Sequence, residues 1–202
     1  MIAIHLKKID QMLFGAAIED DKVFAINFGT NKRHMFESLL ASLPFGMQFQ
    51  VAEKQDMISE KLLTTLKVIY DGKDVSPNFN VVMEHLSKYS QKVLNCIRQI
   101  PVGYLTSYGA VAETCGGSPR AVGRVMATNP FPLLIPCHRV VQADFSIGGY
   151  GGNSRSGKKV KLKILQREDR GYTKPKEIET EFGVLPVHPV SEVLKRAKQG
   201  AA

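Results

Sequence analysis

The sequence predicts a two-part α/β protein of the α+β type: a small N-terminal antiparallel sheet with helices, then a mostly helical domain with a helix-turn-helix. Three β-rich runs occupy residues 2–9, 12–18 and 22–28, and short polar segments separate them. Helical patterns follow, and two short helical segments in the second half are joined by a glycine pair. At 202 residues the chain is long enough to bury a sizeable core.

The polar segments between the β-rich runs predict the N-terminal secondary structure. Acidic and amide residues at 10–11 and 19–21 interrupt the three β-rich runs, which predicts an antiparallel meander. Helices are predicted at about 31–43 and 56–70, and residues 71–78 have the composition of a linker. We therefore expect a supporting domain over residues 1–80 and a second domain over 81–171, opened by a helix at 84–99.

Two serines mark the starts of the next helices. Ser107 precedes a short helical segment that ends at Gly116-Gly117, and Ser118 precedes Pro119, which favours the first turn of a helix. Two short helices joined by a glycine-containing turn are typical of a helix-turn-helix. Arg120 and Arg124 lie four residues apart, on one face of the second helix, which favours DNA contact. A helical hairpin on an enzyme surface is the alternative.

The segment 134–141, with the sequence LIPCHRVV, places a thiol beside an imidazole within an apolar run. A cysteine is nucleophilic as its thiolate, so a neighbouring proton acceptor is its natural companion. Pro136 restricts the backbone that presents Cys137. The alternative is that Cys137 is a small core residue and His138 its neighbour.

Charge is unevenly distributed along the chain. Residues 1–80 carry nine Lys and Arg against ten Asp and Glu, while the rest carries eighteen against nine, within a total of +8. A basic half beside a near-neutral half predicts a phosphate-binding domain joined to a supporting one. A solvated basic surface is the alternative, and it accounts better for the lysines of the tail than for Arg120 and Arg124.

Together, several of these segments resemble the O6-alkylguanine-DNA alkyltransferases, also called methylated-DNA–protein-cysteine methyltransferases. The resemblance covers about residues 81–168 and rests on Tyr108, the run 120–123, Asn129-Pro130, the run 135–141 and Gly148-Gly149-Tyr150. It departs in a longer loop at 151–157 and in Arg124, where a small residue is common. It implies a ribonuclease H-like N-terminal domain and repair of O6-alkylguanine in double-stranded DNA.

By resemblance, Cys137 is the nucleophile that takes the alkyl group irreversibly, His138 is the base acting through a water, and Glu168 orients the imidazole. Further DNA contacts are implied for Tyr108, Ser118, Arg120, Ala121, Gly123 and Arg124. Arg120 would fill the gap left by a flipped base. A pocket and hinge are implied at Asn129, Val140, Gly149, Tyr150 and Gly151.

No cofactor or catalytic metal is implied, and we expect a monomer; activity on O4-alkylthymine stays open. One alternative is a DNA-binding regulator in which Cys137 senses alkylating agents, disfavoured by the single helix-turn-helix. Another is a non-reactive alkyltransferase-like DNA binder, a group that lacks the cysteine present here as Cys137.

Location and cysteine use complete the expectations. No apolar segment is long enough to span a bilayer and no signal peptide is evident, so we expect a cytoplasmic protein, or a nuclear one in a compartmented cell. Three cysteines argue against a disulfide framework, although a Cys96–Cys115 disulfide stays open. Residues 1–80 lack the cysteines of the family's zinc site. Residues 172–202 form an extension without an assigned role, with a short helix expected at 191–198.

Overall fold

The computed structural model describes residues 1–75, 77–150 and 155–199. These residues divide into two compact units: residues 1–70, 75, 77–87 and 130–134 form the first, and residues 71–74, 88–129, 135–150 and 155–199 form the second. The first unit extends to residue 87, past the domain boundary predicted at residue 80. It also includes residues 130–134, from the second half of the chain. Residues 172–199 lie in the second unit rather than in a separate extension.

The predicted meander of the first unit is present. Strands β1 (Ile2–Ile9), β2 (Met12–Glu19) and β3 (Lys22–Gly29) pair antiparallel, as predicted to within one residue. Strand β4 (Phe49–Val51) joins β1 in parallel and β5 (Asn80–Val81) joins β3 in parallel, so the five-stranded sheet has the order β4-β1-β2-β3-β5.

Helices α1 (Lys32–Ala41) and α2 (Met57–Tyr70) cover opposite faces of this sheet. Phe14 contacts the ring of Tyr70 on α2, while the next residue, Gly15, lies against Met35 on α1. Neighbouring residues of a strand point to opposite faces, so the two helices must lie on opposite sides. This explains why β2 and β3 are nearly continuous apolar runs instead of alternating ones.

The first helix of the second unit is α3 (Lys88–Arg98), which starts four residues later than the predicted start at residue 84. Two contacts explain the shorter helix. The Val82 amide donates to the Val23 carbonyl, which extends the pairing beside β3, and the Leu86 amide then closes a turn on Met83. Tertiary pairing therefore overrides the helical pattern in this segment.

Helices α4 (Tyr108–Cys115) and α5 (Pro119–Ala127) begin where their serines predict. The Ser107 hydroxyl accepts from the Ala110 amide at 3.0 Å and the Ser118 hydroxyl accepts from the Ala121 amide at 3.2 Å. Between them Gly117 has a positive φ of 92° and lies so close to the Tyr89 hydroxyl that a Cβ would clash with it.

The prediction of a mostly helical second domain is wrong in one respect, because this unit also contains a sheet. Strands β6 (Tyr104–Ser107), β7 (Val140–Val141), β8 (Lys176–Thr180) and β9 (Gly183–Pro189) form a four-stranded sheet of order β7-β6-β9-β8. The strands are short and two of them lie far along the chain, so local patterns did not indicate them. Helices α6 (Arg155–Glu168) and α7 (Ser191–Gln199) complete the unit, the latter close to its predicted range.

Candidate active site

Cys137, His138 and Arg139 form a single turn of 3-10 helix directly before β7. All three are buried: Cys137 is 5% exposed, His138 0% and Arg139 7%. The Cys137 amide donates to the Ile135 carbonyl and the Arg139 amide donates to Pro136. The Asn129 amide group also donates to the Ile135 carbonyl, at 3.0 Å. The backbone that presents the thiol is therefore fixed from both ends.

Glu168, the last residue of α6, joins His138 in a buried ion network. His138 Nε2 lies 2.9 Å from Glu168 Oε1, and the Arg139 guanidinium binds both carboxylate oxygens at 2.8 and 2.9 Å. Arg139 also donates to the Ile100 carbonyl. Burial alone would raise the pKa of Glu168, but its electrostatic interactions and hydrogen bonds with His138 and Arg139 outweigh this effect and lower the pKa to about 2. Glu168 is an ionised carboxylate rather than a surface charge.

The network determines which imidazole nitrogen can take a proton. An ionised carboxylate only accepts hydrogen bonds, so Nε2 of His138 carries the hydrogen and Nδ1 holds the lone pair. Burial lowers the pKa of His138, despite the opposing effect of Glu168, so the imidazole is neutral. Nδ1 is buried and makes no hydrogen bond within the described part of the chain. A neutral imidazole with a free lone pair is suited to act as a general base.

The thiol of Cys137 would need such a base in order to react. Burial raises the pKa of its thiol, and the hydrogen bond from Asn129 and the charge of Lys161 oppose this effect only in part. The thiol is therefore protonated at rest. A protonated, buried thiol beside a neutral imidazole can react once the proton is removed.

Sequence reasoning missed Lys161, which is buried in spite of its charge. Its ammonium group donates to the Val140 carbonyl at 2.6 Å and to the Gly149 carbonyl at 3.3 Å, and it lies 5.7 Å from the centre of the Tyr108 ring. Burial lowers the pKa of Lys161 to about 8, and the nearby Cys137 opposes this shift. Its position three and seven residues before Ile164 and Glu168, on the inward stripe of α6, was the available signal. Arg139 was missed as well, although it stands in the motif.

Tyr108 begins α4 and is nearly buried. Burial, with a smaller contribution from Cys137, raises the pKa of Tyr108 to about 12. Gly148, with a φ of 66°, lies against the Tyr108 ring; a Cβ there would come within 3.3 Å of the hydroxyl. The positive φ strains most side chains, and a Cβ here would also crowd the ring, so both features favour glycine at this position.

The structure thus gathers the predicted residues Tyr108, Asn129, Val140 and Gly149 around Cys137, His138 and Glu168. Tyr150 is half-buried, and Gly151 lies outside the described residues. A cleft of about 640 Å³ is lined by residues 142–144, 146–149 and Lys158, but its lining does not include the thiol.

The predicted DNA-contacting residues of α5 lie on its outer side. Arg120 and Arg124 are exposed, Ala121 and Gly123 are partly exposed, and Ser118 caps the helix. Val122 and Val125 face the interior. The two arginines therefore present positive charge to solvent on one helical face, as their spacing predicts.

The described residues contain no disulfide between Cys96 and Cys115, no metal-binding cluster and no helix able to span a membrane. Cys96 and Cys115 are buried free thiols that hydrogen-bond to each other, so they form no disulfide here. In the part of the chain that the structure covers, no three His, Cys, Asp or Glu side chains lie close enough to hold a metal ion. Within the same residues, no helix is both long and apolar enough to cross a membrane.

Comparison with known proteins identifies the region that carries this site. Residues 88–170 match the DNA-binding domain of 6-O-methylguanine DNA methyltransferase. A methylated-DNA–protein-cysteine methyltransferase of Methanothermobacter thermautotrophicus is 38% identical over 113 residues, 55% of this chain and 62% of that protein. The matches span between 40% and 65% of the length of the curated relatives compared.

Solved structures share the fold. The O6-methylguanine-DNA methyltransferase of Pyrococcus kodakaraensis has a TM-score of 0.62 at 24% identity, over 81% of this chain and 98% of that one. The Mycobacterium tuberculosis protein OGT in complex with DNA has a TM-score of 0.63 at 20% identity, over 82% and 94% of the two chains. Residues 88–170 of this chain therefore match the DNA-binding domain of 6-O-methylguanine DNA methyltransferase, which confirms the resemblance stated from the sequence.

Proposed function

We propose that this chain is a methylated-DNA–protein-cysteine methyltransferase, which repairs O6-alkylguanine in double-stranded DNA by transferring the alkyl group to Cys137. The observation that carries the proposal is the buried thiol of Cys137 beside a neutral imidazole that Glu168 holds in one tautomer. This arrangement lies within the segment that matches the family.

The chemistry is an in-line displacement at the alkyl carbon. His138 Nδ1 takes the proton of Cys137 through a water, and the sulfur attacks the carbon attached to guanine O6. A carbon–sulfur bond forms as the carbon–oxygen bond breaks, and the electron pair leaves with guanine. The proton that left the thiol is returned to guanine, so the overall reaction converts a thiol and an alkylguanine into a thioether and guanine.

Lys161 and Glu168 support the charges of this reaction. The Lys161 ammonium stabilises the thiolate, since Cys137 and Lys161 act on each other electrostatically. The Glu168 carboxylate stabilises the imidazolium that forms when His138 is protonated. The product thioether has no easy leaving route, so the protein is consumed after one transfer. The same attack would apply to O4-alkylthymine.

Delivery of the base requires DNA binding by α4 and α5, which we propose act as a helix-turn-helix. Arg120 is exposed near the start of α5, where its planar guanidinium can fill the space of a flipped base. Arg124, Ser118, Ala121 and Gly123 would contact the DNA from the same helix.

Around the reacting atoms, Asn129 would link α5 to the thiol segment. The pocket for the alkylated base would be lined by Tyr108, Val140, Gly149, Tyr150 and Gly151. Support for these roles comes from the exposure of the α5 side chains and from the burial of Tyr108 and Val140.

We also propose the fold class of the first unit, the oligomeric state and the location of the protein in the cell. The first unit is a ribonuclease H-like support, which fits its antiparallel meander with β4 parallel to β1. The protein acts as a monomer. It works in the cytoplasm, or in the nucleus of a compartmented cell.

Mass spectrometry of the intact protein tests the function. After incubation with duplex DNA containing O6-methylguanine, we expect a gain of one methyl group per chain, located on Cys137 by peptide mapping. Cys137→Ala should gain none, whereas Cys96→Ala and Cys115→Ala should react like the unaltered protein, since the mechanism does not use those thiols. Sustained turnover beyond one equivalent would contradict the proposal.

A further inference from the structure

The match to the family ends at residue 170, but the chain continues into the same compact unit. Its continuation, residues 172–199, contains the hairpin β8–β9 and helix α7. Leu185, Val187, Val190 and Val193 of this segment are buried, with exposed fractions of 0 to 1%. We call residues 172–199 the C-terminal brace, which contacts two elements near the site.

One contact of the brace is the strand that leads to Tyr108. Strand β9 pairs with β6 through Leu105 and His188, on the side of β6 opposite β7. The Thr106 hydroxyl donates to the Pro186 carbonyl at 2.7 Å. Since β7 pairs with β6 through Thr106 and directly follows Arg139, the brace continues the sheet in which the thiol segment ends.

The other contact is the loop at residues 142–149, here called the pocket loop. Phe145, whose φ is 60°, lies edge-on to the His188 ring with centroids 5.1 Å apart. Phe145 and Ile147 pack against a buried cluster that includes Val190 and Val193 of the brace. The pocket loop ends at Gly148 and Gly149, which contact Tyr108 and Lys161 respectively.

We infer that the C-terminal brace is a positioning element of the alkyl-transfer site, and that His188 holds the pocket loop against Tyr108 and Lys161 through Phe145. This inference rests on the proposed function for its effect on rate.

Outside the brace, the loop packs against Leu105, Val141 and Leu165 of the same cluster. Its own hydrogen bonds join the Gln142 and Phe145 amides to the Ser146 and Gln142 carbonyls, and the Ser146 amide to Asp144. Without the brace, Phe145 and Ile147 would lose the part of their apolar cluster that Val190 and Val193 supply, and Phe145, with its left-handed backbone, would lose its ring contact with His188.

The test compares three substitutions in the intact chain. His188→Ala removes the ring that contacts Phe145, His188→Phe restores an aromatic ring, and Lys195→Ala alters an exposed pair within α7 as the matched control. None of these residues belongs to the catalytic group. Two readouts are taken: hydrogen–deuterium exchange of the peptide containing the pocket loop, and the single-turnover rate of methyl transfer at several DNA concentrations.

We expect His188→Ala to exchange the loop amides about tenfold faster and to lower the transfer rate at saturating DNA about tenfold, since small misplacements cost up to ~10² in rate. The DNA concentration at half-saturation should not change, because α5 is untouched. His188→Phe should recover most of the rate, and Lys195→Ala should behave like the unaltered protein.

Unchanged exchange and rate in a folded His188→Ala protein would overturn the inference. If that variant does not fold, Arg196→Ala replaces it, since the exposed Arg196–Asp144 pair also joins the brace to the loop. Its smaller expected effect is about a twofold rise in loop exchange, in keeping with an exposed ion pair, and no rise would overturn the inference. If the unaltered protein transfers no methyl group, the proposed function fails, while the exchange measurement still decides whether the brace holds the loop.

Discussion

Glu168→Gln is the most informative single substitution at this site, because it removes one charge and keeps the side-chain volume. In the folded protein the carboxylate binds His138 and the guanidinium of Arg139, and all three groups are buried. A neutral amide cannot match the Arg139 charge, so the substitution leaves a buried cation without its anionic partner. Removing one member of a buried ion pair typically costs about 3–5 kcal/mol.

The lowered pKa of Glu168 provides a second way to judge how much stability the Glu168→Gln substitution removes. A fall from the usual 4.5 to about 2 corresponds to about 3 kcal/mol of stabilisation of the carboxylate form by folding. Because the folded-state pKa is the lower one, this stability is fully present above pH 4.5 and is lost as the pH falls toward 2. Buried His138 also has a lowered pKa, so the folded state resists its protonation. Acid therefore destabilises the unaltered protein and the Glu168→Gln variant through this residue as well.

Urea unfolding followed by circular dichroism, at a series of pH values from neutral to acid, measures the difference. At pH 7 we expect the free energy of unfolding of Glu168→Gln to be lower than that of the unaltered protein by roughly 3–5 kcal/mol. This difference should narrow as the pH falls below 4.5, where the Glu168 carboxylate begins to lose its stabilising effect. The matched control is Glu37→Gln, which removes an exposed helical pair with Arg33 and should cost at most about 0.5 kcal/mol. A gap at neutral pH no larger than the control's, or a gap that does not narrow in acid, would refute the assigned ion network.

Three further predictions concern the reaction. His138→Ala should slow single-turnover transfer by about 10²–10⁴-fold, as expected for lost general-base assistance; an unchanged rate constant would exclude the relay. Arg120→Ala should slow repair of duplex DNA far more than reaction with free O6-benzylguanine, with Arg124→Ala as the comparison on the same face, and equal slowing on both substrates would place Arg120 in the active site or the fold. Benzylation of Cys137 should lower stability by about 1–3 kcal/mol, since the added group must enter a closely packed site. It should also weaken DNA binding, because Asn129 joins that segment to α5. Thermal unfolding and DNA binding before and after benzylation check this, and an alkylated protein as stable and as tightly bound as the free one would rule the coupling out.

Much of the architecture is determined locally and was predictable. The meander follows from polar residues at tight turns, where Asp10 and Asp20 adopt the positive φ that aspartate tolerates. Ser107 and Ser118 set the starts of α4 and α5 because a capping hydroxyl satisfies amides that the helix leaves unpaired. The juxtaposition of the Cys137 thiol and the His138 imidazole was predictable too, since the two residues are neighbours in the chain.

Other features depend on contacts between distant segments. Lys161 looks like one more lysine of a basic helix, and only folding buries it against two carbonyls and the Tyr108 ring. The pairing of β6 with β9 joins residues more than eighty positions apart, and strands of this kind carry little local signal. The sequence by itself determined which groups can react and where helices α4 and α5 begin. The tertiary structure alone decided the burial that makes Cys137 a protonated thiol, His138 a neutral base and Glu168 an ion, because those states depend on removal from water and on partners from other parts of the chain.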